Sequence, residues 1–273
     1  MKNNSKLKTV VIIFMIIVFL ILAGVEIFFR HMDSSPLTII GGADGPTKIF
    51  LGKDKKDLSK EEQENTKQEI KEKEEKWQAL ISEAKDKGLL ILVNKDNPVD
   101  ENYKPDDLTA VKYYAEDRTQ ASRYMRKEAA EQFNKLSEAA KQDGYEIVMT
   151  TAYRSYGFQK ILYDNYVQRE GQEAADKFSA KPGYSEHQSG LAVDVTSPSV
   201  NYSLSYEYGD TAEGKWLKEN AHNFGYIIRY KKGKEDITGY NYEPWHIRYV
   251  GETVADEIYE KDITLEEFLE EEQ

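Results

Sequence analysis

Two short clusters hold residue types that can do chemistry together. The first is Ser185-Glu186-His187-Gln188-Ser189-Gly190-Leu191-Ala192-Val193-Asp194, and the second is Glu243-Pro244-Trp245-His246. Asp194 is the only charge in the apolar run Leu191–Val195, so a strand there carries a carboxylate into the interior. A buried carboxylate without a partner is expensive, and it calls for a cation or a metal. Gly190 lets the chain turn, which brings His187 towards Asp194, and His246 opens another strand three residues after Glu243. Two imidazoles and one carboxylate make a three-ligand zinc site with a fourth position open to water. Glu243 is near enough in sequence to reach that water without being a ligand. On residue types alone the alternative stays open that each His is structural, the commoner role of an isolated histidine. The other two histidines, juxtamembrane His31 and His222 beside Asn223 in a predicted helix, are expected to be structural.

These clusters need a frame. Gly88–Val93 reads as a short buried strand followed by a turn through Pro98. Met125, Ala129, Ala130, Phe133, Leu136 and Ala140 mark one face of a helix ending near Gly144. Glu146–Ala152 reads as a strand, and Phe158, Ile161, Leu162, Tyr166 and Val167 give a second helix. Leu191–Val195 is a strand. Trp216, Leu217, Ala221 and Phe224 form a helix ended by Gly225. Tyr226–Tyr230 and His246–Val250 are strands, and the acidic tail around Leu265–Leu269 is helical. Strands and helices do not alternate regularly, so an α+β fold is expected: a small, mainly antiparallel sheet with helices packed against it.

The chain has 273 residues with 37 Lys and Arg against 49 Asp and Glu, a net charge of −12. That balance argues against a nucleic-acid binder, which shows a basic patch. No cysteine is present, which removes disulfides, a thiol nucleophile and thiolate metal sites. Val10–Val25 is an unbroken apolar or small run that continues past Glu26, preceded by Lys2, Lys6 and Lys8. About 20 such residues span a bilayer as a helix, and the lysines place the N-terminus in the cytoplasm. Residues 1–30 therefore read as a cytoplasmic tail and transmembrane anchor, with everything after them outside the cell membrane. The competing reading is a cleaved signal peptide, but no clear A-x-A site follows the apolar run.

Residues 31–76 read as an extracytoplasmic hairpin-like segment and charged spacer. The run Gly41-Gly42-Ala43-Asp44-Gly45-Pro46 is a turn signal between two β-type runs, Leu37–Ile40 and Lys48–Leu51. Lys53–Lys76 holds only two large apolar residues, Leu58 and Ile70, too few for a coiled-coil seam. Residues 77–273 form the remaining domain.

The pattern S-x-H-x-x-G-x-A-x-D from Ser185 to Asp194, followed by E-P-W-H from Glu243 to His246, resembles the VanY-type zinc D-alanyl-D-alanine carboxypeptidases. Related zinc L,D-carboxypeptidases share both motifs. Further matches are Leu92-Val93-Asn94-Lys95 with Pro98, Pro105-Asp106-Asp107-Leu108, Thr151-Ala152-Tyr153-Arg154-Ser155 with Gln159, and Pro182-Gly183-Tyr184. The resemblance covers roughly residues 88–270, with no departure at a catalytic position. It implies the α+β hedgehog/D-Ala-D-Ala-peptidase fold, a bound Zn2+ held by His187, Asp194 and His246, and Glu243 as general base. Arg154 matches the family's substrate-facing arginine, and Ser185 and Gln159 match substrate contacts. As structural alternatives, Arg154 pairs with a carboxylate, Ser185 caps a turn and Gln159 is a solvated helix residue; Tyr184 and Trp245 either line the groove or pack. The implied activity is removal of the C-terminal D-alanine from peptidoglycan stem peptides. L,D cleavage of tetrapeptide stems and a non-catalytic wall-binding module are the alternatives. Oligomeric state is not readable.

Overall fold

The structure, a computed structural model, describes residues 37–39, 49–51, 60–116 and 123–272. Two compact units divide the chain, residues 1–72 and residues 73–273. In the first, strands β1 (Leu37–Ile39) and β2 (Ile49–Leu51) pair antiparallel with Leu37 opposite Leu51; the Gly-rich turn expected between them lies outside the described residues. Among the described residues no helix is long and apolar enough to cross a membrane; the expected anchor at residues 10–25 lies outside them. Helix α1 (Lys60–Asp86) carries most of the charged segment Lys53–Lys76. Its last turns bury Ile81 and Ala84 in the core of the second unit.

The second unit is built on a four-stranded antiparallel sheet in the order β5 (Val148–Thr151), β6 (Ala192–Thr196), β8 (Glu243–Tyr249), β7 (Tyr226–Tyr230). A smaller ribbon pairs β3 (Leu108–Ala110) with β4 (Tyr124–Arg126). Side chains alternate across a strand, and here the alternation separates two tasks. Val193, Val195, Ile247 and Tyr249 join the hydrophobic core with Phe133 and Leu136 of α2 (Lys127–Gln142). Asp194, His246 and Arg248 point to the opposite face. The helices α3 (Tyr156–Glu170), α4 (Gln172–Phe178), α5 (Ala212–Asn220), α6 (Glu235–Thr238), α7 (Glu252–Glu260) and α8 (Leu265–Glu271) complete the unit.

One expectation is corrected. Gly88–Val93 is not a strand but a turn and an extended segment. Leu89 and Ile91 give their carbonyls to Nη2 of Arg248, at 2.9 and 2.8 Å, in place of a ladder partner. The second helix is present as α3, but its burial differs from its apolar residues: Phe158 and Ile161 are exposed, at 57% and 63%, while Gln159 and Tyr163 are buried. Gln159, on the buried side of that helix, is held by the polar contacts described below.

Helix α8 starts with a capping box. Thr264 Oγ1 accepts from the Glu267 backbone N–H at 3.1 Å, and the Glu267 carboxylate accepts from the Thr264 N–H at 2.8 Å. Thr264→Ala is expected to destabilise the protein by about 1 kcal/mol, seen as a melting temperature lower by about 2–4 °C in a thermal scan.

Candidate metal centre

The strand pairing brings the two sequence clusters together. Asp194 of β6 lies directly across from His246 of β8. His187 arrives from the 3-10 turn Glu186–Ser189, which ends on Gly190 with φ 71°. A Cβ at Gly190 would sit 3.1 Å from Leu108 Cδ2, 3.2 Å from Arg126 Cγ and 3.3 Å from Pro105 Cγ. The left-handed turn and the close approach of β3 and β4 both favour glycine. One ligand atom each from His187, Asp194 and His246 lie within 4.8 Å of one another, and all three residues are buried.

The hydrogen bonds fix which atoms face each other. His187 Nδ1 is 2.7 Å from the carbonyl of Ala152. A carbonyl only accepts, so Nδ1 carries the proton and Nε2 keeps its lone pair. That lone pair has no donor among the described residues and lies 3.2 Å from Asp194 Oδ2. His246 Nε2 is 3.2 Å from Glu186 Oε2, and its Nδ1 is 2.9 Å from Asp194 Oδ1. Both neighbours of His246 are acceptors. Burial alone would lower the pKa of His246, but the hydrogen bonds it donates to Asp194 and Glu186 prevail and raise it to about 9. Burial, with Arg154 nearby, pushes His187 down to about 4. Burial would raise Asp194, yet its two histidine neighbours, His187 and His246, hold it well below the usual carboxylate range. A lone pair, a carboxylate and an imidazole that holds an extra proton therefore converge on one point. A divalent cation satisfies all three, taking the place of the proton on His246 Nδ1. Two nitrogens and one oxygen are the donor set that suits zinc in an open site.

Glu243 stands at the edge of this cluster, its Oε2 3.8 Å from His246 Nδ1 and its side chain 26% exposed. Burial raises its pKa to about 7, with His246 opposing and Asp194 adding to the shift. A carboxylate poised near neutrality is suited to accept and return a proton. Arg154 follows β5. Its backbone N–H donates to the His187 carbonyl at 3.1 Å, which ties it to the metal-binding turn. Burial lowers the pKa of its guanidinium against the pull of Asp194 and Glu243. Its Nε is buried with no hydrogen-bond partner among the described residues, a donor left for an incoming oxygen.

Gln159 is placed differently from a direct substrate contact. Its Oε1 accepts from Arg154 Nη1 at 3.0 Å, and its Nε2 donates to Ser179 Oγ at 3.2 Å and to the Ala180 carbonyl at 2.7 Å. It is 1% exposed and serves to hold Arg154. The spacing from Arg154 to Gln159 is explained by Ser155, which caps α3 by accepting from the Phe158 N–H at 3.2 Å. That cap sets Gln159 one turn in, facing back. Ser185 is buried, and its hydroxyl does not cap the turn that follows. Trp245 packs on Tyr206 with ring centroids 5.5 Å apart. Tyr184 borders a cavity of about 260 Å³ with Lys95, Asp176, Lys181 and Tyr240. His222 stacks on Tyr259 at 3.8 Å, outside the cluster.

Sequence reasoning passed over three residues behind the site. Glu186 Oε1 accepts from Arg229 Nε and from Arg248 Nη1, each at 2.7 Å. Arg229 continues to Glu266 with Nη1–Oε2 at 2.8 Å and Nη2–Oε1 at 2.6 Å. The side chains of Glu186, Arg229 and Arg248 are 0% exposed. The signal that marked Asp194 also marks Arg229: each is the lone charge in an apolar strand.

The family model described as "VanY: D-alanyl-D-alanine carboxypeptidase" matches residues 122–252. YodJ of Bacillus subtilis, a provisionally named carboxypeptidase, is 48% identical over 185 residues, which are 67% of this chain and 67% of YodJ. The chain spans 57% to 67% of the length of the first curated relatives it matches. The solved structure of the LD-carboxypeptidase LdcB matches at 48% identity with a TM-score of 0.63, covering 66% of this chain and 85% of LdcB. A vancomycin-resistance D,D-pentapeptidase VanY from a VanB-type cassette, solved as a mutant with Zn(II), matches at 33% identity with a TM-score of 0.55, covering 66% of this chain and 98% of that one. With 48% identity to YodJ over 67% of its length, and an alignment that covers 98% of the zinc-bound VanY structure at 33% identity, the chain belongs to the VanY D-alanyl-D-alanine carboxypeptidase family.

Proposed function

We propose that this protein is a zinc carboxypeptidase that removes the C-terminal D-alanine of peptidoglycan stem peptides, with the pentapeptide (D,D cleavage) as substrate. The observation that carries this reading is the convergence of His187 Nε2, His246 Nδ1 and the Asp194 carboxylate beside Glu243 and Arg154. His187, Asp194 and His246 would hold the metal. When bound, zinc polarises an oxygen and lowers the pKa of a water towards ~7. Glu243 takes a proton from the attacking water and delivers it to the departing amine nitrogen of D-alanine. Arg154, held by Gln159, presents its guanidinium to a substrate oxygen, either the terminal carboxylate or the developing oxyanion.

A second reading, an L,D-carboxypeptidase acting on tetrapeptide stems, is favoured by the 48% identity to LdcB against 33% to VanY. Incubating the full chain with pentapeptide and, separately, tetrapeptide, with and without chelator, and weighing the products decides between them. Loss of one alanine from the pentapeptide alone supports the first reading, and loss from the tetrapeptide supports the second. Cleavage of neither by zinc-loaded protein overturns both. The apolar run at residues 10–25 and the lysines before it support membrane anchoring with the catalytic unit outside, where the wall lies. Recovery of the protein in the soluble fraction of cells would contradict that placement.

Arg154→Lys keeps the charge and loses the planar fork. Hydrogen bonds to charged groups contribute about 1.5–3 kcal/mol, so kcat/KM is expected to fall roughly 10- to 100-fold. Steady-state kinetics then assign the role. A loss confined to KM marks a grip on the terminal carboxylate, and an equal loss in kcat marks the oxyanion.

A further inference from the structure

We propose that Glu186 is a positioning residue for the metal centre: its Oε2 accepts the Nε2–H of His246 and so leaves Nδ1 as the atom that faces the metal. The inference rests on the reading of this cluster as a metal site. Nothing in the motif assigns the position a role, because it is the unspecified place between Ser185 and His187.

The geometry is specific. Neither guanidinium can accept a hydrogen bond, so Arg229 Nε and Arg248 Nη1, both at 2.7 Å, commit Glu186 Oε1 as an acceptor. The carboxylate plane is thereby fixed, and Oε2 is aimed at His246 Nε2 at 3.2 Å. The imidazole is held at both ends, by Glu186 at Nε2 and by Asp194 at Nδ1. The Tyr230 ring packs against it with centroids 4.8 Å apart. The two arginines are anchored in turn. Arg229 binds Glu266 through two bonds, and Arg248 Nη2 donates to the carbonyls of Leu89 and Ile91. Asn94 Nδ2 also reaches Glu266 Oε1, at 3.1 Å. Glu186, Arg229, Arg248 and Glu266 form a charge-balanced buried group, with two carboxylates against two guanidiniums. The acceptor this group aims at the site is Glu186 Oε2. A carboxylate that takes the far N–H of a ligating histidine sets the ring's tautomer and direction, and its loss commonly lowers metal affinity 10- to 100-fold.

The competing explanation makes Glu186 only a counter-charge for Arg229 and Arg248. Two variants of the full chain separate the two. Glu266→Gln disturbs the same arginine network but leaves Glu186 in place. It is expected to lower thermal stability while zinc affinity, measured by chelator competition, stays within about 3-fold of the parent. Glu186→Gln replaces the fixed acceptor with an amide and is expected to lower zinc affinity 10- to 100-fold. Equal affinity loss in both variants, or none in Glu186→Gln, overturns the proposal. If Glu186→Gln does not fold, ¹⁵N-histidine NMR of the unsubstituted zinc-loaded chain decides instead, since only four His are present. The proposal requires His246 to carry its proton on Nε2 and to bind through Nδ1. A proton on Nδ1 overturns it.

Discussion

Asp194→Ala is expected to abolish zinc loading and to bring hydrolysis down to background. The carboxylate stands between the two imidazoles, with one oxygen towards each, at 3.2 and 2.9 Å. Losing it removes a ligand and the negative charge that makes the pocket attractive to a cation. Loss of an outer partner lowers metal affinity by up to about 100-fold, so loss of this direct donor is expected to exceed that. The test does not depend on activity. Zinc at 100 times its dissociation constant stabilises the parent protein by about 2.7 kcal/mol, a rise of roughly 5–10 °C in melting temperature at the 2–4 °C per kcal/mol expected for this size. The variant is expected to show no such rise. Chelator treatment of the parent should reproduce the variant's melting temperature difference and loss of turnover, and added zinc should reverse both. A variant that still gains stability from zinc would remove Asp194 from the ligand set.

What the sequence revealed and what it hid follow one physical division. Isolated charges in apolar runs are visible, because burying them has a large penalty that something must offset. Asp194 stood out for that reason, and Arg229 in the run Tyr226–Tyr230 carried the same signal unread. The antiparallel sheet was visible in the short strands and their turn glycines. Glu186 was hidden. It lies in a polar stretch that reads as an exposed loop, and its burial depends on Arg229 and Arg248, which are distant in sequence and adjacent only after β7 and β8 pair. Removing one partner of such a group leaves an uncompensated buried charge, at about 3–5 kcal/mol. Gln159 was legible as part of a motif but not in its task, because only the folded helix shows that its amide is committed to Arg154, Ser179 and Ala180. The segment Gly88–Val93 misled for the opposite reason. Its apolar run is indeed buried at Leu89, Leu90 and Val93, yet a side chain, not a strand, takes the carbonyls of Leu89 and Ile91. Periodicity reports burial and is silent on who accepts the hydrogen bonds.

Glu243→Gln separates binding from chemistry. The amide keeps the shape of the side chain and cannot accept the water's proton, so kcat is expected to fall by about 10²–10⁴, the usual range for a general base. Zinc affinity should change little, because Glu243 lies 3.8 Å from His246 Nδ1 and outside the three converging ligand atoms. The same substitution has a stability signature with a definite sign. Burial raises the pKa of Glu243 from 4.5 to about 7 in the metal-free fold, so the folded protein holds a proton that the unfolded chain releases. Between those two values stability falls as pH rises, and the penalty is complete above pH 7 at up to about 3 kcal/mol. Metal-free Glu243→Gln is therefore expected to be more stable than the parent at pH 8 and no more stable at pH 4. Denaturant unfolding at the two pH values measures this directly. In the zinc-loaded enzyme the nearby dication favours the ionised carboxylate, which moves the acidic limb of kcat/KM below pH 7 and keeps the base ready at neutrality. An activity loss under tenfold would mean that another group moves the proton, and a variant that unfolds more easily at pH 8 would mean that burial does not penalise the ionised Glu243. A large loss of activity with the metal retained and stability gained at alkaline pH would show a carboxylate kept in an unfavourable place because the reaction requires it there.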